Sequence, residues 1–435
     1  MELQVGCAKV KITPEQAVPL SGFAVRNNLP YERVRSDIHL RVVLLRQSNG
    51  FGEPKQALIV SADLLWWGSD RMETIRRTLK ERWGLKPETI ILNATHSHSG
   101  PQSSFRFHRL LGRADADYVD QLEAKLYAAV EEAASNLEPV TVERGQGSCS
   151  IGVQRRKYVD GKVFGGAFED GIADPNVTVV RFVKGSGAAK ALFVHYTCHP
   201  VTTSANELSS EFTGHAMEQL ESEMDGTVCL FLQGCCADIN IYREQAPAEW
   251  SGFQAIAFFG DRLAVSVRDV LQGPMKPLAP MRLSGNRLVV PLALRPLASR
   301  EKLETIAGAG ESPYDEWAEE MLRKGDSRVS KLPLEVVRLD VAEGLQLLAM
   351  NAEVVVEYGL YAKALSPNVL PMGYSNGMIG YVPMEYQLRL NGYEADSSTY
   401  YFHMPAMLEP AIEADVKAAI AALVAPAGVE TEGHK

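Results

Sequence analysis

Apolar and polar positions along the chain switch repeatedly between two periods. Residues 57–67, ALIVSADLLWW, form the near-continuous apolar run of a buried strand. The segment that follows changes period. Met72, Ile75, Leu79 and Trp83 recur at three- and four-residue spacing, which predicts a helix with Ser69 as N-cap and Gly84 as its stop. Residues 89–94, TIILNA, are β-branched and apolar, end at the turn signal Gly100-Pro101, and predict a second buried strand. Residues 117–137 place Leu122, Leu126 and Val130 on one face of a long amphipathic helix. Strands are expected at 177–183, 191–196 and 228–234, with helices at 211–226 and 253–272. Further strands are expected at 281–293, 334–341 and 345–350, a charge-rich helical stretch at 299–325, and a last helix at 409–424. This alternation predicts an α/β fold of mixed sheets flanked by helices. A weak boundary falls at GPMKPLAP, 273–280; the expectation is nonetheless one large domain, 1–425, with 426–435 a disordered tail.

Composition narrows the function. Of 435 residues, 46% are hydrophobic and 23% charged, the balance of a soluble globular protein with a large core. The net charge is −10 and no Lys/Arg cluster occurs, which argues against nucleic acid or an anionic membrane as partner. The opening MELQVGCAKVKITPEQ has no charged-then-apolar leader, and no run of 18 apolar residues could span a bilayer. Six scattered cysteines without zinc-finger spacing suggest free thiols and a cytoplasmic location.

Candidate chemistry gathers where apolar runs stop. In NATHSHSGP, 93–101, two of only nine histidines stand two positions apart. In an extended chain His96 and His98 would face one side, about 6–7 Å apart, and could enter one pocket. In FVHYTCHPVTTS, 193–204, His195 and His199 have the spacing of a helical metal site, but the β-branched context and Pro200 favour a strand. There they would lie about 13 Å apart. His199, at the strand end, is then the candidate ligand and His195 a core residue. Glu353 in NAEVVVEYG sits between apolar runs, costly unless it is paired or metal-bound. FLQGCCADINI, 231–241, breaks at Gly234 into a loop with Asp238 and Asn240; Asp238 is expected to orient a histidine or hold the loop. Adjacent Cys235 and Cys236 read as small buried turn residues rather than as nucleophiles. Glu357 is expected to pair with a surface cation, and Trp66 or Trp67 to flank a cleft. Tyr381, Tyr386 and Tyr393 cluster in GYVPMEYQLRLNGYE.

These segments, in this order, resemble the catalytic domain of the neutral/alkaline, non-lysosomal ceramidases, which are zinc-dependent amidases. NATHSHSGP is similar to that family's most distinctive motif; CHPVTTS with LSSEFTGHA, FLQGCCADINI, NAEVVVEYG and YSNGMIGYVPMEYQLRLNGYE are similar to its other site segments. VGCAKVKITPEQAVPLSGFA is similar to its first strand and loop, so the resemblance runs over nearly the whole chain. It implies zinc ligands at His96, His199, Glu353 and Tyr381. It implies a substrate- and water-contacting role for His98, an oxyanion-steadying role for Tyr393 and a substrate contact at Arg155 or Arg156. Asn240 stands where the family carries a serine needed for activity, which leaves the zinc–water route. The chain ends where the ceramidases continue into a further β domain. The expectation is therefore a Zn2+ amidohydrolase acting on a small-molecule or lipid-like N-acyl compound. A zinc hydrolase of esters or glycosides, or a non-catalytic zinc-binding homologue, are the alternatives.

Overall fold

The computed structural model describes residues 2–48, 55–310 and 312–424. Its centre is a nine-stranded mixed sheet. One half runs Glu2–Lys11, His39–Ser48, Lys55–Ala62, Ile90–Ala94; the other runs Glu138–Ser148, Asn176–Lys184, Ala189–Tyr196, Val228–Gln233, with Lys276–Leu278 added beside Glu138–Ser148. Glu2–Lys11 pairs along its whole length with His39–Ser48 but only through Leu3–Val5 with the other half. Freed beyond that short join, the two halves fold toward each other until the end strands meet. Asn93 Oδ1 accepts from Gln233 N at 2.9 Å, and Ser61 Oγ donates to Phe231 O at 2.6 Å.

A second sheet, Pro280–Ala293, Lys331–Ala342, Leu345–Met350 and Val369–Met372, lies against one face of the first. The two-residue period of the strands sorts their side chains between cores. Val43, Leu45, Ile59 and Ile91 meet Val337, Leu339, Leu347 and Ala349 between the sheets. Leu44, Leu58, Val60 and Leu92 point the other way, into a cluster with Leu79 and Leu126 of the helices Met72–Trp83 and Ala116–Ser135. Helices Glu211–Glu223 and Gly252–Gln272 cover the other half of that face through Phe212, Leu220, Phe259 and Leu263. Helix Ile412–Val424 closes the far side of the second sheet through Ile420 and Leu423 against Leu334 and Val336. The order of layers is helix, sheet, sheet, helix, and each fully buried branched side chain contributes about 1.5–3 kcal/mol.

Several expectations needed correction. The run 57–67 is strand only to Ala62; Asp63–Trp67 leave the sheet as a buried loop. Ser69 does not cap the helix that follows, which starts at Met72 after an uncapped Arg71; its hydroxyl instead brackets Met378 N and O. Gly84 does end that helix, at φ 69°. The stretch 299–325 is two helices, Arg300–Ala309 and Tyr314–Lys324. The hydrophobic VVVEYG continues into a helix, Val356–Leu365. At 273–280 the chain passes directly from the first sheet to the second. Residues 426–435, expected to be disordered, lie outside the described residues. Among the described residues no helix is long and apolar enough to cross a membrane.

Candidate metal centre

The meeting of the sheet's two ends sets the site, because both histidine segments leave from there. His96 and His98 follow strand Ile90–Ala94; His199 follows Ala189–Tyr196. Gln233 ties the two loops together. Its side-chain amide donates to Thr95 O at 2.8 Å and to Cys198 O at 3.0 Å, and both acceptors are buried.

The pair of histidines converges, though not by the extended geometry expected of it. The strand ends at Ala94, and His96 adopts a left-handed φ of 65°, uncommon for a residue with a side chain. That turn brings His98 Nε2 to 3.2 Å from His96 Nε2, and His199 Nε2 stands 3.0 Å from His96 Nε2. The ligating atoms of all three rings lie within 4.8 Å of one another. Glu353 arrives from the second sheet, its Oε2 3.4 Å from His96 Nε2 and 3.5 Å from His199 Nε2. Among the described residues no arginine pairs with this carboxylate, and Glu353 Oε2 has no hydrogen-bond partner although buried. Tyr381 is its register partner in the parallel pair Glu353–Val354 and Tyr381–Val382.

Backbone carbonyls fix the state of the two deepest rings. His96 Nδ1 faces Leu65 O at 2.8 Å and His199 Nδ1 faces Cys236 O at 2.6 Å. A carbonyl only accepts, so both Nδ1 atoms carry hydrogen, and in the neutral ring Nε2 bears the lone pair. Burial, with His96 and Arg155 adding, lowers the His199 pKa to about 4, so that ring is neutral at pH 7. With both rings neutral, two lone pairs and an orphaned carboxylate oxygen would crowd one point, an arrangement that a cation between them relieves. Two imidazoles and a carboxylate match the donor set of catalytic zinc, with each imidazole's second nitrogen held from behind.

Around this point the exposure grows. Burial, reinforced by His96 and His199, holds the half-buried His98 well below its ordinary pKa. Phe23 leans on its ring at 4.9 Å. Tyr393 stands edge-on to Tyr381 at 5.7 Å between centroids. Arg155 Nη2 donates to Tyr381 Oη at 3.1 Å, Nη1 to Asn240 Oδ1 at 3.2 Å, and Nε to Glu394 Oε1 at 2.9 Å. Arg156 also pairs with Glu394 and stands 5.6 Å over the Tyr393 ring, while Arg155 is the one bonded to Tyr381.

Asp238 is not brought onto a histidine. It accepts from Val356 N at 2.9 Å and from Gln154 Nε2 at 3.1 Å, at the start of the helix that follows Glu353. Its part is to hold the loop. His195 stays outside the cluster, with Nε2 on Pro371 O at 2.8 Å. Cys235 and Cys236 are free and buried, and burial pushes both thiols up, which removes them as nucleophiles at neutral pH. Glu357 takes a hydrogen bond from Tyr386 Oη rather than a lysine or arginine contact. Trp66 faces His96 at 6.3 Å, whereas Trp67 donates to Asn93 O.

The chain has structural relatives along its whole length. Over 100% of its length it matches the crystal structure of neutral ceramidase from Pseudomonas aeruginosa, at TM-score 0.77 and 17% identity, covering 76% of that chain. The fold is that of neutral ceramidase. A ceramidase complexed with C2 matches at TM-score 0.75 and 16% identity, over 100% of this chain and 77% of that one. No protein-family model and no curated protein matches the sequence. On this ceramidase fold, sequence reasoning missed Gln233, Tyr374, Phe23 and Glu394. Tyr374 stacks on His96 at 4.0 Å and 28°. Glu394 had a visible signal, an acid next to Tyr393; Phe23 and Tyr374 had none, being single aromatics in Gly-rich loops.

Proposed function

We propose that this chain is a zinc-dependent hydrolase of the neutral ceramidase family that cleaves the amide bond of an N-acyl compound. One observation carries the reading: two imidazole nitrogens with outward lone pairs face a buried, unpartnered Glu353 oxygen within 3.5 Å. His96, His199, Glu353 and Tyr381 would hold the ion, which when bound supplies a water of near-neutral pKa and a Lewis acid for the carbonyl.

The remaining roles fall to side chains of the chain itself. His98, next to the ligands but partly open, takes the proton that the attacking water gives up and returns it to the leaving amine. Tyr393 donates its hydroxyl to the carbonyl oxygen as charge develops there. Arg155, anchored on Glu394, keeps a fixed positive charge beside Tyr381 and orients a polar group of the substrate. Asn240 gives its carbonyl oxygen to Arg155, which leaves its amide hydrogens for the substrate where the ceramidases use a serine. Asp238 supports from behind without touching the reacting atoms.

The test is metal analysis of the purified protein together with turnover of matched amide, ester and glycoside libraries. One zinc per chain and cleavage confined to N-acyl amides are expected, with both lost in His96→Ala. Zinc without any turnover would reduce the chain to a binding protein, and cleavage only of esters or glycosides would replace the bond assigned.

A further inference from the structure

Away from the metal centre, an open cleft of about 440 Å³ lies between helix Met72–Trp83, the second sheet and the loop around Phe402. Six cations line it: Arg76, Arg106, Arg287, Lys324, Arg328 and Lys331. Glu335 is the one carboxylate among its described lining residues, and Arg76 and Arg287 both bind it. Among the described residues, Lys324 alone of the other four meets a carboxylate, Glu320 Oε1 at 3.4 Å, which it shares with Arg323. Arg328 spends its guanidinium on carbonyls, Gly325 O at 3.0 Å and Ala298 O at 2.8 Å. Among the described residues the Arg106 guanidinium and the Lys331 ammonium have no hydrogen-bond or ion-pair partner. Burial pushes the Lys324 ammonium below its usual range; Glu320 opposes this, while Arg106 and Arg323 push the same way. Such a concentration of positive charge is out of keeping with a chain of net charge −10.

Another part of the lining is apolar. Val289 and Val329 are 48% and 51% exposed within it, beside Leu332 and Ile379. Phe107 and Phe402 form the back, and both pack on Trp66, at 4.8 Å and 5.4 Å. Trp66 in turn separates the cleft from His96.

We propose that this cleft binds a phosphate monoester carried on an apolar body, with Arg106, Lys324, Arg328 and Lys331 receiving the phosphate and the valine wall receiving the body. Cationic donors in the lining suit the several oxygens of a dianion. Exposed branched side chains in the same lining gain from covering. A bare inorganic anion would use only half of the cleft. The site is separate from the metal reading and stands or falls without it.

Isothermal titration with phenyl phosphate tests it, with phenol and inorganic phosphate as half-ligand controls and phosphatidic acid vesicles as a second source of the same headgroup. Phenyl phosphate should bind saturably and several-fold more tightly than phosphate, and phenol should not bind. The double variant Arg106→Ala/Lys331→Ala should lose at least tenfold in affinity while its circular dichroism and hydrolytic activity are unchanged; Arg106→Ala alone should lose part of this. Binding of the vesicles only, lost in the same variant, supports the same chemistry with a lipid as its source. Absence of saturable binding to either probe, binding of phenol equal to that of phenyl phosphate, or full affinity in the double variant overturns the assignment.

Discussion

At the scale of single residues, the site rests on a few atoms whose roles separate experimentally. Glu353→Gln keeps the volume but removes the charge that faces two imidazoles. It should abolish stoichiometric zinc, measured by plasma emission on dialysed protein. If Tyr393 donates to the developing oxyanion as proposed, Tyr393→Phe should cost about 10²–10³ in kcat with zinc retained. Gly22 is a quieter determinant. Its φ is +99°, and a Cβ there would stand 2.3 Å from His98 Nδ1. Gly22→Ala should therefore displace the His98 ring, lowering kcat by about 10²-fold, the lower end of what a proton-transfer residue contributes, while zinc content holds. The sequence showed which residue types gathered at strand ends, so His96, His98, His199 and Glu353 could be singled out. It did not show how His96 and His98 meet. The left-handed turn at His96 has no glycine to announce it; surrounding contacts enforce it, among them the bond from His96 Nδ1 to Leu65 O.

At the scale of elements, the histidine loops depend on the strands behind them. Gln233→Leu would leave Thr95 O and Cys198 O buried without their shared donor. At about 1–3 kcal/mol for each orphaned group, chemical denaturation should show a loss of about 2–6 kcal/mol. A second joint holds helix Glu211–Glu223 to the sheet. Arg41, buried, binds Asp63, Glu218 and Glu221, and His39 and Lys9 also reach Glu218. Burial alone would raise the Glu218 pKa, but His39, Lys9 and Arg41 outweigh it and bring it to about 2. The folded value lies below the unfolded one, so this contribution is complete above the ordinary glutamate range and is lost as pH falls toward 2. Melting temperature should drop over that window, less steeply in Glu218→Gln. Strictly periodic segments such as Met72–Trp83 and Ala116–Ser135 were legible because one face of each is buried and the other is not. The hairpin Gly152–Val159 with Lys162–Phe168 was not legible, because mixed charges and glycines mask its alternation. Helix Val356–Leu365 was hidden by β-branched residues that favour strands until packing overrides them.

At the scale of the whole molecule, the centre joins two sheets that are otherwise held by their apolar faces. An ion bound there stabilises the native state alone. Free zinc at 100 times its dissociation constant is worth about 2.7 kcal/mol, or about 3 °C in melting temperature for a chain of this size. Scanning calorimetry of chelated protein with and without added zinc measures this, and Glu353→Gln should abolish the increment.

The order in which the donors appear along the chain has a further consequence during synthesis. A ribosome delivers His96 first, His199 about a hundred residues later, and Glu353 and Tyr381 only after about another hundred and fifty. Until Glu353 and Tyr381 emerge, a nascent chain has imidazoles but neither the carboxylate nor the phenol that complete the cage. Metal capture therefore waits for Glu353 and Tyr381, and a product cut short before Glu353 should be released without its ion.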